Sequence, residues 1–490
     1  MSTPLAPYKT KIICTIGPAS DKPAVLIRMI RAGMSVARLN LAHGDLHSHA
    51  ATITRLRKAS AQANRPLAIL ADLPGPKLRI GSISPDLLRL RRGQHFTLTT
   101  EPMDGNAKQV SVPDFPELPQ AVRVGDALFL NDGFIQLKVL EIAGPQIRCQ
   151  VIVGGELRSH KGLNIPHLRI PLPAFTESDQ TLLAFACEQK VDAISISFVQ
   201  SAADIERVRR EAEALGASPF LIAKIERADA LAHIDAILDA ADGCMVARGD
   251  LGVETPIEAI ALTQKDLIRK ANAAKKPVIT ATQMLESMVE NSRPTRAEAT
   301  DVANAVLDGT DAVMLSEESA IGAYPVEAVK MLGRIAGQAE AARAKQNPTL
   351  ATAPTTPITP TIIKGHRQNE PDIEEIVSLN VVTAVTHLRA PYVFTPTETG
   401  ATARRIARFH LPTWIIALSH HHATCQRLLF SYGVHPVHVA DDNHNWQEIA
   451  CDWLHNHKLP AGPLIFTQGS SRGHPGSTNR VEILRGTESC

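Results

Sequence analysis

In LIAKIERAD (221–229) two charged side chains stand two positions apart inside a stretch that otherwise reads as buried. Side chains alternate along a β-strand with period two, so Lys224 and Glu226 share one face. A buried ion pair costs several kcal/mol of desolvation per ion and gives a fold little net stability. Charges placed this way point to a strand that ends in an active site. A second apolar run, GCMVARGDLGVE (243–254), brings Asp250 to the rim, with Gly249 beside it letting the backbone approach a ligand. Glu226 and Asp250 together suit a hard cation, because Mg²⁺ takes one or two carboxylates and leaves its remaining positions to water and substrate oxygens. Lys224 beside that metal puts two positive centres at one spot, which implies a substrate that is anionic or becomes so in the transition state. A structural ion pair at a barrel end accounts for the same three residues.

Other residues join them. Arg38, Asn40 and His43 cluster in SVARLNLAHGD (35–45), and the planar fork of an arginine suits phosphate or carboxylate. Thr282 and Ser316 close two further apolar runs, where hydroxyls can hold a water or relay a proton, or simply cap a helix.

The elements that must position these groups are eight short β-rich runs separated by amphipathic stretches: KIICTIG, SVARLNL, LAILADL, DAISISF, LIAKIE, GCMVARGDL, PVITAT and AVMLSEE. Such alternation predicts an α/β fold, a closed (β/α)₈ TIM barrel with its chemistry at the carboxyl ends of the strands. A doubly wound open sheet fits the periodicity too. Residues 1–75 and 169–346 make the barrel domain. Between them, residues 76–168 change texture to alternating strands with turn signals such as Asn131-Asp132-Gly133, an inserted small β-domain expected to act as a lid. NPTLATAPTTPITPT opens an extended linker at 347–373, and 374–490 reads as a C-terminal α/β domain.

Composition narrows the partners. With 490 residues the chain is too long for one core, and 51 basic against 50 acidic residues give no reason to expect nucleic acid or an anionic membrane. Seven scattered cysteines without CxxC spacing support neither a disulfide framework nor zinc, and no apolar run approaches the roughly 20 residues of a membrane span. A cytoplasmic protein is expected. The His420-His421-His422 run has no partner ligands spaced around it and reads as a polar loop.

TKIICTIGPAS, VARLNLAHG, ADLPGPKLRIG, KGLNIP, LIAKIERAD, MVARGDLGVE, TATQMLESM and RPTRAEATDVANAVLDGTDAVMLSEESAIGAYPVEAV resemble, in order and spacing, the pyruvate kinases. The resemblance covers nearly the whole chain and is weakest after residue 374. It implies phosphoryl transfer from phosphoenolpyruvate to ADP. It also implies Lys224 at the phosphoryl group and the enolate, Glu226 and Asp250 on Mg²⁺ (or Mn²⁺), Arg38 on the transferring phosphate, and Gly249, Asp250 and Thr282 at the substrate carboxylate. Asn40, His43, Arg79 and Lys161 correspond to nucleotide-phosphate positions, and Thr282 and Ser316 to the proton path. A homotetramer is usual in the family.

Three departures concern potassium. Asn40 and Asp72 remain from the family's cation ligands, but Ala42 and Leu73 replace hydroxyl residues and Lys77 replaces a glutamate. An ammonium a few Å from a cation is repulsive, so Lys77 is expected to stand in for K⁺, which would not be required. Glu317, where the family usually has Gly or Ala, has no evident consequence. In TPTETGATARR, the residues Thr397, Thr399, Gly400 and Thr402 resemble a loop that binds a sugar-phosphate or nucleotide activator, although helix capping explains them as well. Two rivals are a non-catalytic sensor, which should have lost Lys224 or a metal carboxylate, and a phosphoenolpyruvate lyase, for which the insertion and Lys161 are not expected.

Overall fold

The computed structural model describes residues 5–131, 133–166, 168, 173–346, 372–440, 445–459, 462–469 and 478–484. Most of the expected linker, and Asp132 of the expected turn, lie outside the described residues.

Eight parallel strands close into a barrel in which every strand is flanked by its neighbours in sequence order. They are Lys11–Thr15, Met34–Asn40, Ala68–Leu73, Ala193–Ile196, Phe220–Ile225, Gly243–Ala247, Val278–Ala281 and Ala312–Leu315. This excludes the open sheet. Their residues are buried almost without exception, as expected for parallel strands covered by helices outside and by side chains within. The barrel's interior core includes Ile13, Leu70, Ile222, Met245, Ile279 and Met314.

Local sequence sets the helix ends. Thr295 and Glu298 form a reciprocal capping box at the start of Arg296–Asp308, and Gly309 ends that helix at φ 98°, in the left-handed region open to glycine. Asp45 and Ser48 cap Leu46–Ala63 in the same way.

The interruption after the third strand contains a six-stranded sheet and a two-stranded one. They enclose a core of their own built on residues such as Phe96, Leu128, Leu137 and Ile147. After residue 372 a five-stranded sheet carries helices, four of its strands parallel and the last antiparallel. This third unit closes the bottom of the barrel. Phe430 is fully buried in the barrel's interior core and stacks on Phe220 with ring centroids 5.6 Å apart. Burial of one such side chain contributes about 2–3 kcal/mol.

Cys14, Cys149, Cys187, Cys244 and Cys425 are free. Cys451 is disulfide-bonded, a pairing that the scattered cysteines, read as supporting no disulfide framework, did not signal. No described helix is long and apolar enough to cross a membrane.

Candidate active site

Lys224 lies near the end of the fully buried fifth strand and is itself buried. Its ammonium is 2.9 Å from Glu226 Oε1 and 3.4 Å from Asp72 Oδ1, and it donates to Ser197 Oγ at 2.6 Å. The Ser197 hydroxyl in turn donates to the Leu73 carbonyl at 2.6 Å, which ties the fourth strand's end to the third. Glu226 sits one residue past the strand, where its Oε2 accepts from the Phe198 N–H at 2.8 Å.

Asp72 is the hub of the cluster. Its side chain is 2% exposed, and both oxygens are engaged. Ser195 Oγ donates to Oδ1 at 2.6 Å, and Arg38 Nε donates to Oδ2 at 2.8 Å, with Nη2 on the same oxygen. Arg38 Nη1 continues to Thr15 Oγ1 at 2.9 Å. Burial by itself raises the Asp72 pKa, but the charges of Lys224 and Arg38 and the Ser195 hydroxyl outweigh it and hold the carboxyl below its ordinary value. Lys224 responds in kind: burial lowers its pKa, the Asp72 and Glu226 carboxylates outweigh that, and it stays charged above the usual lysine range.

Glu226 differs. Burial raises its pKa, Lys224 offsets part of this, and the Asp250 carboxylate pushes it up further, so the net shift is upward. Two carboxylates close enough to repel, one of them buried, form a donor set that fits a hard divalent cation. Among the described residues no group of three or more His, Cys, Asp or Glu side chains could hold a metal.

Gly249 and Asp250 do not stand at the strand end the sequence pointed to. The sixth strand stops at Ala247, and both residues occupy the first turn of the helix Arg248–Glu254. The Gly249 N–H donates to Thr282 Oγ1 at 2.8 Å, and the Thr282 hydroxyl donates to its own strand's Ala281 carbonyl at 2.6 Å. Thr282 has φ 68°, a conformation rare for a β-branched residue that costs about 1–3 kcal/mol. Arg248 holds it there, donating to the Thr282 carbonyl at 2.7 Å and to Asp301 Oδ1 at 2.8 Å. Ser316 leaves the neighbouring eighth strand with its N–H on Glu318 Oε2 at 2.7 Å.

The loop after the third strand brings Lys77 to the same place. Gly75 has φ 63°, and a Cβ there would lie 3.2 Å from the Ser197 Cβ and the Phe198 ring, so the loop packs closely only with glycine. Lys77 Nζ then lies 3.4 Å from Asp250 Oδ1. Asn40 pairs in register with Asp72, and its side-chain oxygen accepts from the Ala42 N–H at 3.2 Å. His43 is held below the usual histidine pKa by desolvation first and then by the charges of Arg79, Arg38 and Lys77. Arg79 bridges to Gly162, next to Lys161, at the foot of the inserted domain.

In the third unit the candidate effector loop is already internally bonded. Thr397 Oγ1 accepts from the Gly400 N–H at 2.9 Å, Thr399 Oγ1 from the Ala401 N–H at 3.4 Å, and Thr402 Oγ1 meets Thr478 Oγ1 at 2.5 Å. His420 Nδ1 sits on the Val439 carbonyl at 2.8 Å, a packing role.

The sequence reading missed Ser195, Ser197 and Arg248. Ser195 and Ser197 were legible: they stand two apart in AISISF, a polar face on an otherwise apolar strand. Arg248 gave no such signal.

A closed parallel barrel with a metal-fitting carboxylate pair, buried lysine and clustered cations at the carboxyl ends of its strands is a TIM-barrel enzyme of an anionic substrate. The comparisons give the family. The model for the pyruvate kinase barrel domain matches residues 8–329, and that for the pyruvate kinase alpha/beta domain matches 375–484. A pyruvate kinase of Thermococcus litoralis is 47% identical over 98% of this chain and 99% of its own. One of Clostridium acetobutylicum is 40% identical over 97% and 99%. The crystal structure of a pyruvate kinase from Cryptosporidium parvum superposes with TM-score 0.88 at 35% identity, covering 98% of this chain and 96% of that one. The chain belongs to the pyruvate kinase family.

Proposed function

We propose that the chain transfers the phosphoryl group of phosphoenolpyruvate to ADP, giving pyruvate and ATP, without a requirement for potassium. The observation that carries the reading is the Lys224 ammonium held by Glu226, Asp72 and Ser197 at strand ends next to Asp250. Glu226 and Asp250 would hold Mg²⁺ or Mn²⁺, which when bound supplies Lewis-acid polarisation of substrate oxygens. Lys224 offsets negative charge on the phosphoryl group in flight and on the enolate left behind. Arg38, fixed by Asp72 and Thr15, binds the transferring phosphate. The Gly249–Asp250 turn and Thr282 orient the carboxylate, while Asn40, His43, Arg79 and Lys161 receive the nucleotide phosphates. A loose phosphoryl-transfer transition state needs mainly such positioning and charge stabilisation. Thr282 and Ser316 line the route by which a proton reaches the enolate carbon.

The potassium reading rests on Lys77, a fixed positive charge on the loop behind Asp72 and in contact with Asp250, together with the missing hydroxyls at Ala42 and Leu73. A homotetramer and an anionic activator at Thr397–Thr402 are the family's expectations. The second has less support, because the loop's hydroxyls are engaged in capping and internal bonds.

ATP formation from phosphoenolpyruvate and ADP, with tetramethylammonium as the only monovalent cation, tests both parts. The expected result is full turnover that potassium changes by less than about twofold. Tenfold stimulation by potassium would refute the Lys77 reading, and no ATP under either condition would refute the reaction.

A further inference from the structure

The seventh strand ends at Ala281, and the next two residues both take the left-handed conformation, Thr282 at φ 68° and Gln283 at φ 53°. Residues with a Cβ seldom adopt it, β-branched ones least of all, and such a turn persists only where its surroundings hold it. Arg248 supplies that hold. Its side chain is 11% exposed, and Nε, Nη1 and Nη2 are each bonded. Nε donates to the Ala281 carbonyl at 3.3 Å and Nη2 to the Thr282 carbonyl at 2.7 Å, so one planar fork spans the peptides on either side of the Thr282 side chain. Nη1 anchors the fork on two helices, through Gln264 Oε1 at 3.2 Å in Ile260–Ala273 and Asp301 Oδ1 at 2.8 Å in Arg296–Asp308.

The same fork bears on the Thr282 hydroxyl. Its oxygen accepts from the Gly249 N–H at 2.8 Å, which fixes where the hydroxyl stands, and its hydrogen goes to the Ala281 carbonyl at 2.6 Å. A hydroxyl has a single hydrogen, so giving it to a substrate means withdrawing it from that carbonyl. Ala281 is fully buried, and a buried carbonyl stripped of its donor is costly. Because Arg248 Nε already donates to this oxygen, the carbonyl keeps a donor when the hydroxyl turns away.

We propose that Arg248 is a positioning residue for the carboxylate end of the substrate: it fixes the turn that presents Thr282, and it lets that hydroxyl pass from the Ala281 carbonyl to the substrate carboxylate without stranding the carbonyl. The proposal rests on the reading that Thr282 and the Gly249–Asp250 turn receive the phosphoenolpyruvate carboxylate. The bonds of Arg248 run to the Ala281–Thr282 turn and to two helices, whereas the nucleotide is assigned to Asn40, His43, Arg79 and Lys161 elsewhere in the chain. Its loss therefore separates the two substrates.

Steady-state titration of phosphoenolpyruvate and of ADP, each with the other saturating, tests this in Arg248→Lys, which keeps a charge for Asp301 but has one nitrogen in place of the fork. The expected result is a KM for phosphoenolpyruvate raised about tenfold or more, with the KM for ADP and the turnover within about threefold of wild type. Asp301→Asn, at a side chain 38% exposed, loosens the same fork from outside the site. It should raise the KM for phosphoenolpyruvate about threefold by itself and add less than about twofold to Arg248→Lys, because the two substitutions act through one contact. A folded Arg248→Lys with an unchanged KM for phosphoenolpyruvate overturns the role, as does a parallel rise in both KM values. If Arg248→Lys does not fold, the two KM values of Asp301→Asn decide by the same criterion. A wild type that forms no ATP overturns the reaction itself, and the role with it.

Discussion

Lys224→Met is expected to lower the turnover of ATP formation by about 10³-fold or more, with a much smaller change in the KM for phosphoenolpyruvate. Losing one neutral donor to a developing oxyanion costs about 10²–10³ in turnover, and Lys224 supplies a full charge in a buried site. The selective loss of turnover follows because the charge is needed most as phosphorus changes partners. The substitution also strands two carboxylates, since Glu226 and Asp72 both face this ammonium. Removing one member of a buried ionic group typically costs about 3–5 kcal/mol. Glu226 already has a raised pKa and rises further without its cation. A carboxyl whose folded pKa lies above its unfolded one contributes stability below the unfolded value and loses it as pH rises. The variant's deficit in urea unfolding therefore grows from pH 4 towards neutrality. A turnover within tenfold of wild type contradicts the assignment.

Asp72→Asn should cost about 3 kcal/mol in stability and about 10²-fold in turnover, although Asp72 need not touch substrate. The amide cannot balance Arg38 and Lys224 together, and it loses one acceptor from a group whose two oxygens both serve. This gap too grows with pH, but over a more acidic range than that of Lys224→Met and for a different reason. The Asp72 pKa in the folded protein lies below the ordinary 3.8, so its contribution is present above that value and is lost as pH falls through the folded pKa. The stability gap between wild type and variant should therefore narrow below about pH 4. A gap that stays constant down to pH 3, with near-normal turnover, contradicts the hub.

How much of this was legible in the sequence depended on how local the cause was. Period-two placement of Lys224 and Glu226, and the eight β-rich runs, are local patterns, and the barrel follows from them with the sequential neighbour order seen in the structure. Asp72 was visible only as a member of a cation set. Its role as the common partner of Arg38, Ser195 and Lys224 depends on the second to fifth strands lying side by side, which no short stretch encodes. Gly249 and Asp250 moved from strand end to helix turn because the chain turns helical at Arg248 without a break in its apolar pattern. Arg248 was missed for the reverse reason: its partners Thr282 and Asp301 lie 34 and 53 positions away.

The most direct test of the central claim is the affinity for Mn²⁺, read by electron paramagnetic resonance, in the wild type and in Glu226→Gln. The substitution keeps the side chain's shape and one acceptor for the Phe198 N–H while removing the charge that Asp250 now opposes. The account predicts one tight Mn²⁺ per chain in the wild type, binding about 100-fold weaker in the variant, and turnover falling with it. Equal Mn²⁺ affinity in the two proteins would contradict it, because the paired carboxylates would then not be what gathers the metal.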